Sequence, residues 1–415
     1  MNLWTSLLNG AFLLMQVITG LIGAYQVVLS VFGLFYRKRK IKYLPQKRFV
    51  VLVAAHNEER VIGPLIENLW EMEYPRNLFD VYVIADNCTD QTAAVARSEG
   101  AIVAERFAET ERGKGYAIRW MLERLKEIHA DYDAVVMFDA DNLVATNFLR
   151  AMNDRLMDGD KVIQGYLDIK NPLDSWVSIS MAISYWYTNR MWQLSRHHLK
   201  LASALGGTGL CIDMSLLQQL GWHATGLTED VEFGARCVSM GVYPVWAHEA
   251  KVYDEKPITL LASLRQRLRW MQGHFNCAKQ YMMPLFGASV KEGNLAKMDA
   301  AIYLFQPMRF LILFLTGFMV LFQIYVPDTS SVAVVTELLP TWFWVAINVF
   351  ILIQMPLAMW LERVPWKAYL GLPLFPIFMV TWFPVTLVAL FTRHNRVWQH
   401  TVHTRAIRLD DLRSR

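Results

Sequence analysis

The sequence predicts an α/β domain joined to α-helical transmembrane and interfacial segments, and two features of the 415-residue chain support this fold class. Apolar residues make up 54% of the composition and include four long runs without a charged side chain, at 2–36, 310–327, 338–361 and 368–392. Residues 45–255 instead alternate short apolar stretches with helix-like stretches, which is typical of a mostly parallel sheet covered by helices.

The first apolar run predicts a transmembrane helix. It is long enough to cross roughly 30 Å of hydrocarbon, and it lacks the basic start and the cleavage site of a signal peptide. The basic tetrad RKRK follows it at 37–40, so the positive-inside rule places the next part of the chain in the cytoplasm. We therefore expect an integral protein of the plasma (inner) membrane whose α/β domain is cytoplasmic.

The three C-terminal apolar runs leave the topology open. If each crossed once, the basic tail at 393–415 would lie outside the cell, against the positive-inside rule. Pro373, Pro376 and Pro384 interrupt the last run, so we expect a broken re-entrant or hairpin element there. A cytoplasmic tail is the favoured interpretation.

Composition and motifs exclude several other classes of protein. The net charge of +4 suits basic membrane-flanking loops and gives no case for nucleic acid as a partner. No strand is followed by G-x-G-x-x-G or G-x-x-x-x-G-K-[ST], which disfavours a nicotinamide-binding enzyme or a P-loop ATPase. The four cysteines have no C-x-x-C spacing, so neither a zinc site nor a disulfide framework is expected.

Four apolar stretches of the α/β region predict strands: FVVLVAA, VYVIAD, AIVAER and AVVMFD. Three of them end in polar residues, where catalytic groups of such folds gather. Asp139 and Asp141 follow the last strand at i and i+2, so in extended backbone they share one face. Two carboxylates that close suit Mg²⁺ or Mn²⁺, although a solvated Asn/Asp-rich turn is the alternative.

Two further polar clusters lie between the predicted strands and helices. The stretch LTED places Glu229 and Asp230 before a helical pattern, where they could also be ordinary acids of a helix N-terminus. Lys114 lies between two glycines, where backbone and ammonium can approach a phosphate. A Gly-Lys-Gly sequence is equally compatible with an exposed turn.

These motifs resemble a known family. The order AHNEE, ADNCTDQT, RGKG, FDADN, LTED and QRLRW, flanked by apolar runs, is similar to the membrane-integrated family 2 glycosyltransferases. That family includes the processive cellulose, hyaluronan, chitin-oligosaccharide and poly-N-acetylglucosamine synthases. The resemblance covers roughly residues 48–275 plus the membrane layout, and it implies a GT-A fold that binds a nucleotide sugar, usually UDP-linked, with Mg²⁺ or Mn²⁺.

The resemblance also implies roles for single residues. The nucleotide would be bound by Ala54, Asn57, Glu58, Asp86, Lys114, Asp139, Gln266 and Arg269, with Asp86 at the uracil edge. Asp141 would ligate the metal, and Asp230 with Glu229 would supply the general base. Gly207, Thr208 and Trp270 would contact the acceptor. The sequence ADNCTD departs from the commoner D-D-G-S pattern, which weakens the transfer of base recognition to Asp86.

Helical spacing supports the last motif. Gln266, Arg269 and Trp270 stand at i, i+3 and i+4, so a helix places them on one face. Arg269 can then bind the diphosphate while the Trp270 ring supports the terminal sugar of the acceptor. The stretch 257–275 is amphipathic, as expected for an interfacial helix, and a simple anchor with snorkelling arginines is the alternative.

Five segments follow: a transmembrane segment at 1–40, a cytosolic GT-A domain at 45–255, interfacial helices at 256–300, a membrane region at 301–392 and a basic tail at 393–415. We expect an inverting, metal-dependent glycosyltransferase that extends and translocates a β-linked polysaccharide. Its partners would be a UDP-sugar donor, the growing glycan and the lipid bilayer. Two alternatives stay open: transfer of a single sugar to a lipid without secretion, and a non-catalytic membrane scaffold or transporter.

Overall fold

A single eight-stranded mixed sheet forms the centre of the molecule. The computed structural model describes residues 3–325, 341–394 and 405–413. The strands are β1 (Phe49–Ala55), β2 (Phe79–Asp86), β3 (Ile102–Arg106), β4 (Ala134–Asp139), β5 (Leu143–Val144), β6 (Val162–Ile169), β7 (Leu210–Asp213) and β8 (Val245–Asp254). They lie in the spatial order β3-β2-β1-β4-β7-β6-β8-β5.

The first four strands form a parallel half-sheet, and they are the four strands that the sequence predicts. β1 pairs with β2 and β4, and β2 pairs with β3, all in parallel. Because parallel strands end at the same edge, the polar residues that follow them are brought together. The register makes this concrete, since Ala54 of β1 lies opposite Asp139 of β4.

The other half of the sheet is mixed. β7 is antiparallel to both β4 and β6, β8 is parallel to β6, and β5 is antiparallel to β8. These four strands are not among those that the sequence predicts. Their arrangement directs the end of β8, at Asp254, towards the same edge as β5, which follows Asp141 and Asn142.

Helices cover both faces of the sheet. In chain order they are α1 (Leu3–Val31), α2 (Ile62–Trp70), α3 (Thr92–Ser98), α4 (Lys114–Glu127), α5 (Phe148–Met157), α6 (Trp176–Thr188), α7 (Leu194–His198), α8 (Met214–Leu220), α9 (Glu229–Ser239), α10 (Leu260–Cys277), α11 (Met283–Glu292), α12 (Leu295–Leu304), α13 (Gln306–Tyr325), α14 (Thr341–Leu361), α15 (Phe375–Val380), α16 (Trp382–Thr392) and α17 (Leu409–Arg413). Alternate β1 residues pack in opposite clusters, Val51 with Ile62 on one face and Leu52 with Ile118 on the other. Burial on both faces explains why this strand reads as a continuous apolar run.

Two helical stretches of the described residues are long and apolar enough to cross a membrane, Leu13–Leu34 and Phe375–Thr392. A third arises only if Leu295–Leu304 and Gln306–Phe318 are counted as one span, which bends by 57° at their junction. Within the second stretch only Thr381 separates α15 from α16, and the re-entrant or hairpin element expected there stays a prediction. The predicted runs at 310–327 and 338–361 correspond to α13 and α14, and the parts of them within 326–340 lie outside the described residues.

The described part of the basic tail contacts the α/β domain. The Arg405 guanidinium pairs with Asp174, and the Arg408 guanidinium lies 3.1 Å from the Glu67 carboxylate. These contacts hold residues 405–413 against the α/β domain, and the cytoplasmic location of the tail stays a prediction. The remaining tail residues, at 395–404 and 414–415, lie outside the described residues.

Buried ion pairs join the apolar helices to the α/β domain. Asp299 of α12 accepts hydrogen bonds from Arg196 of α7, at 2.7 Å, and from the Tyr25 hydroxyl of α1, at 3.0 Å. Arg190 donates to the Gly33 carbonyl at 2.6 Å and lies 3.2 Å from Glu362. These contacts fix the orientation of the apolar helices against the sheet.

Candidate active site

A cleft of about 750 Å³ lies between the carboxyl ends of β1, β2 and β4 and the helix α10. Most of the predicted site residues line it: Ala54, Glu58, Asp86, Lys114, Asp139, Asp141, Gly207, Glu229, Asp230, Gln266, Arg269 and Trp270. Residues that are far apart in sequence therefore converge on one cavity, and the fold has the geometry of a binding site.

Two predicted site residues do not line this cleft. The Thr208 side chain is only 1% exposed, and its hydroxyl bonds to the Asn142 side chain and accepts from the Asp139 backbone N–H. Asn57 has a φ of 56°, and its side-chain oxygen accepts from the Thr89 backbone N–H at 2.8 Å. Both side chains support the loops around the cleft, and the geometry does not indicate that either one contacts a substrate.

One end of the cleft is formed by Asp86 at the end of β2. Its Oδ1 atom accepts from Arg106 Nη1 at 2.6 Å and from Asn87 Nδ2 at 3.1 Å. Both charged side chains of the Asp86–Arg106 pair are less than a tenth exposed. The Oδ2 atom has no protein donor among the described residues, so it can accept one hydrogen bond from a ligand.

Lys114 lies at the centre of the cleft, at the N-terminus of α4. Its ammonium donates to the Asp139 carboxylate and, at 2.7 Å, to the Gly207 carbonyl, and it lies 3.8 Å from Glu229. Burial lowers the pKa of Lys114, but the charges of Asp139 and Glu229 more than offset this and the net shift is upward. The ammonium is therefore a permanent cation in the cleft.

A group of carboxylates lies beside Lys114. Asp141 is 5% exposed and accepts from the Glu255 backbone N–H at 3.0 Å. Burial raises the pKa of Asp254 to about 6; Lys256, at 2.6 Å, opposes this rise, and the charges of Asp141 and Asp139 add to it. The region therefore carries an excess of negative charge that a cation would relieve.

Glu229 and Asp230 begin helix α9 on the opposite wall. Burial and the charge of Glu229 raise the pKa of Asp230 to about 7, although the Val231 N–H and Lys114 oppose the shift. Gly207 has a φ of 77°, and a Cβ atom there would lie 3.5 Å from Asp230 Oδ2 and 3.9 Å from Lys114 Nζ. A glycine at this position keeps the space between the Asp230 carboxyl group and the Lys114 ammonium open.

Helix α10 supplies the third wall with the predicted face. Gln266 lines the cleft, and its side-chain amide oxygen Oε1 is buried without a hydrogen-bond partner among the described residues. Burial lowers the pKa of Arg269, and the charges of Glu229 and Asp139 oppose this shift. Trp270 lies with Lys256 Nζ 5.5 Å from its ring centre.

The opposite face of α10 is structural. Arg267 is fully buried and donates to the Thr381 hydroxyl at 2.9 Å. Its guanidinium lies over the rings of Phe378 and Trp382, at 4.4 and 4.8 Å. Neighbouring arginines of one motif therefore have different tasks, because Arg269 faces the cleft and Arg267 binds the apolar helices.

The sequence profile of the family described as "Glycosyltransferase like family 2" matches residues 45–273, which is more than half of the chain. The chain belongs to this glycosyltransferase family. The matched region begins just before β1 and ends within α10, so it contains all the residues that line the cleft except His274 and Tyr303.

Several named proteins are similar to this glycosyltransferase. It is 29% identical over 243 residues to the beta-monoglucosyldiacylglycerol synthase of Nostoc sp., covering 54% of this chain and 48% of that protein. It is 22% identical over 209 residues to hyaluronan synthase 1 of Xenopus laevis, covering 46% of this chain and 35% of that protein. The match therefore spans at most about half the length of these relatives.

A solved structure has the same fold over nearly the whole chain. The mannosyltransferase PcManGT from Pyrobaculum calidifontis, solved with GDP-Man and Mn²⁺, superposes with a TM-score of 0.55 at 17% sequence identity. The alignment covers 93% of this chain and 99% of that chain. The predicted combination of a GT-A-like α/β domain with apolar helices is thereby confirmed.

Some residues of the glycosyltransferase cleft were not identified from sequence. Asp254 ends β8 and Lys256 follows it, and both line the cleft, while Arg106 at the end of β3 binds the cleft residue Asp86. The run YDEK at 253–256 places acidic residues at the end of an apolar stretch, as FDADN does. The sequence does not predict β8 as a strand, so this pattern is not recognised from sequence alone. Arg106 gave no signal on its own, because its partner Asp86 is set by strand pairing.

Proposed function

We propose that this enzyme transfers a sugar from a UDP-linked donor to a hydroxyl group of a membrane-embedded lipid, with inversion at the anomeric carbon. One observation carries the proposal: a single cleft next to the apolar helices contains both a carboxyl group with a pKa of about 7, on Asp230, and two cations, Lys114 and Arg269. The first can accept the proton of an acceptor hydroxyl, and the cations can stabilise a diphosphate leaving group.

Recognition of the donor base is assigned to Asp86. Uracil presents one N–H at its recognition edge, whereas guanine presents two adjacent N–H donors that suit both oxygens of a carboxylate. Arg106 and Asn87 already occupy Asp86 Oδ1, so a single oxygen is left for the base. This supports a uridine rather than a guanosine donor, in contrast to the GDP-Man named for PcManGT.

The fold family implies Mg²⁺ or Mn²⁺, and PcManGT is named with Mn²⁺. No three His, Cys, Asp or Glu side chains of the described residues are arranged to hold a metal by themselves. The residues nevertheless fit a metal shared with the donor, because Asp139, Asp141 and Asp254 offer hard oxygen ligands in a region of excess negative charge. Asp141 and Asp139 would hold the ion, and when bound it would neutralise charge on the diphosphate.

The proposed reaction is a single displacement. Asp230 takes the proton of the acceptor hydroxyl, and the acceptor oxygen forms a bond to the anomeric carbon of the sugar. The bond from that carbon to the diphosphate oxygen breaks, and its electron pair leaves with UDP. Lys114 and Arg269 stabilise the negative charge of the released diphosphate. The side-chain amide oxygen of Gln266 can accept a hydrogen bond from a sugar hydroxyl.

A lipid acceptor is supported by the surroundings of Trp270. This side chain lines the cleft and also packs in an apolar cluster with Val177 and Met181 of α6 and Phe378 of α15. Trp270 therefore joins the cleft to the apolar packing of a helical stretch, Phe375–Thr392, that is long enough to span a membrane. The relative named as a beta-monoglucosyldiacylglycerol synthase supports the same acceptor class.

The test uses the purified full chain in nanodiscs that contain diacylglycerol. UDP-sugars are supplied one at a time with Mn²⁺ or Mg²⁺, GDP-mannose serves as the contrasting donor, and the Asp230→Asn variant is the matched control. We expect UDP release that requires the lipid and a product that extracts into the organic phase. Release from GDP-mannose alone would overturn the donor assignment, and an exclusively aqueous polymer would overturn the acceptor assignment.

Polysaccharide extension is a second candidate, favoured by one observation. The Trp270 ring faces the cleft near Lys256 and offers a platform for a terminal sugar, and hyaluronan synthase 1 is among the relatives. If a glycan stacks there, Trp270→Ala loses on the order of 1 kcal/mol of acceptor binding and shortens the product, while Trp270→Phe keeps its length. A product of one sugar per lipid in the wild type and both variants would exclude extension.

A further inference from the structure

We propose that a second cavity, beyond the C-terminal end of α1, binds the phosphate headgroup of an anionic membrane lipid. The cavity has a volume of about 390 Å³ and is lined by Tyr36, Arg37, Lys38, Arg39, Lys40, Lys42, Arg155, Leu194, His197, His198, Trp246, His248 and Glu249. None of these residues lines the catalytic cleft. The proposal is independent of the reaction assigned to the cleft.

Unpaired positive charge is the first support. The lining carries six permanent cations against one carboxylate, Glu249. Three of the cations are paired, since Arg39 and Lys42 contact Asp154 or Asp158 and Arg155 contacts Glu249. Among the described residues, no carboxylate lies within ion-pair distance of the other three, which are Arg37, Lys38 and Lys40.

A buried donor that lacks a partner is the second support. Arg155 is 2% exposed, and its Nε and Nη2 atoms bind the Glu249 carboxylate at 2.9 and 3.1 Å. Its Nη1 atom has no hydrogen-bond partner among the described residues, and the Asp160 carboxylate lies beyond hydrogen-bond distance at 3.7 Å. Leaving a buried charged donor unsatisfied is costly, and a phosphate oxygen would satisfy it.

The environment of His197 also indicates an electropositive cavity. Burial and the charge of Arg155 lower the pKa of His197 to about 4, and the charge of Glu249 opposes the shift. The imidazole is therefore neutral at physiological pH. It can offer the ligand a neutral N–H without adding to the repulsion among the arginines and lysines.

The position of the cavity selects a lipid as the source of the phosphate. The apolar stretch Leu13–Leu34 ends two residues before Tyr36, and Phe35 between them is 71% exposed. Further exposed apolar side chains, Ile41 and Leu44, alternate with the basic residues. Basic side chains interleaved with apolar ones beside a membrane span are suited to the surface of an anionic bilayer.

The test measures lipid retention by the full chain. The protein is placed in nanodiscs of phosphatidylcholine with a minor share of phosphatidylglycerol. It is then released from the nanodiscs, and native mass spectrometry measures the mass of the protein with the lipids that it retains. The test variant is Arg37→Gln/Lys40→Gln. The matched control is Arg124→Gln/Lys126→Gln, which removes the same charges from exposed positions on α4.

We expect the wild type and the control to retain one phosphatidylglycerol per chain, and the test variant to bind it on the order of tenfold more weakly. An equal loss in the control would show that only general surface charge acts, and it would overturn the site. Displacement of the lipid by millimolar inorganic phosphate would overturn the assignment to a lipid. Unfolding temperatures in detergent, expected to be alike for all three proteins, show that the variants fold.

Discussion

The Asp230 carboxyl group lies beside Glu229 and Gly207, and burial together with the charge of Glu229 raises its pKa to about 7, although Lys114 opposes the rise. We expect Asp230→Asn to keep UDP binding, because the shape is nearly unchanged and the nucleotide contacts lie elsewhere in the cleft. Transfer should fall by about 10²-fold or more, the usual loss when a general base is removed. Calorimetry with UDP and a UDP-release assay measure the two quantities, and transfer at the wild-type rate would remove Asp230 from the mechanism.

The raised pKa of Asp230 also predicts the pH dependence of the reaction. A general base acts only when deprotonated, so kcat/KM should fall as pH drops below about 7 and should level off at about pH 8. An ordinary aspartate, with a pKa near 4, would leave the rate flat over this range. The profile is measured with saturating metal, and the Asp230→Asn variant serves as the control that should lack the inflection near pH 7.

Single polar residues were predictable where a strong local pattern marked them. Asp139, Asp141 and Asp230 followed an apolar strand or preceded a helical pattern, and all three line the cleft. Arg106 was not predictable, since its contact with Asp86 depends on the pairing of β2 with β3. Thr208 was predicted to contact the acceptor, but it does not line the cleft. A loop sequence does not reveal that its hydroxyl points inward to Asn142.

At the scale of secondary structure, the close contact of α10 with α9 aligns two walls of the cleft. A Cβ atom at Gly273 would overlap the side chain of Thr228, which directly precedes Glu229. Thr228 is β-branched and buried, so it cannot turn aside easily. Gly273→Ala should therefore displace the start of α9, lowering stability by about 1–3 kcal/mol and reducing transfer by more than it reduces UDP binding.

Gly287 of α11 is the matched control for this substitution. It is also helical, but a Cβ atom there would meet nothing within 4 Å. Gly287→Ala should be neutral or stabilising by up to about 1 kcal/mol, because alanine has the higher helix propensity. Unfolding temperatures and transfer rates are compared for both variants, and equal behaviour of the two would contradict the role assigned to the Gly273 contact.

The elements themselves were predictable to different degrees. β1, β2 and β4 are largely buried on both faces and therefore appear as apolar runs, and the amphipathic stretch at 257–275 corresponds to α10. β5 and β7 are two and four residues long, so neither carries enough periodicity to be recognised. The antiparallel direction of β7 is a property of the complete sheet and not of its own four residues.

At the scale of the whole molecule, buried ion pairs hold the catalytic domain to the apolar helices. Arg196 and Asp299 are 5% and 1% exposed, and Asp299 also accepts from Tyr25 of α1. This joint fixes the α/β domain against the apolar helices beside the cleft. Sequence periodicity could not reveal it, because its three members are separated by more than 100 residues.

Asp299→Ala tests this joint. The substitution leaves the Arg196 guanidinium buried without its carboxylate, so it should cost about 3–5 kcal/mol of stability. The exposed pair of Arg97 and Glu105 provides the control, since Glu105→Ala should change stability by less than about 1 kcal/mol. Thermal unfolding of both variants in detergent gives the comparison.

UDP affinity should survive in Asp299→Ala below its unfolding temperature, because the nucleotide end of the cleft is built by β1, β2 and β4. Transfer to a lipid should fall more than UDP binding, since access of the lipid to the cleft would depend on the position of the apolar helices against the α/β domain. Stability and lipid transfer both equal to those of Glu105→Ala would show that the joint neither stabilises the molecule nor orients its cleft.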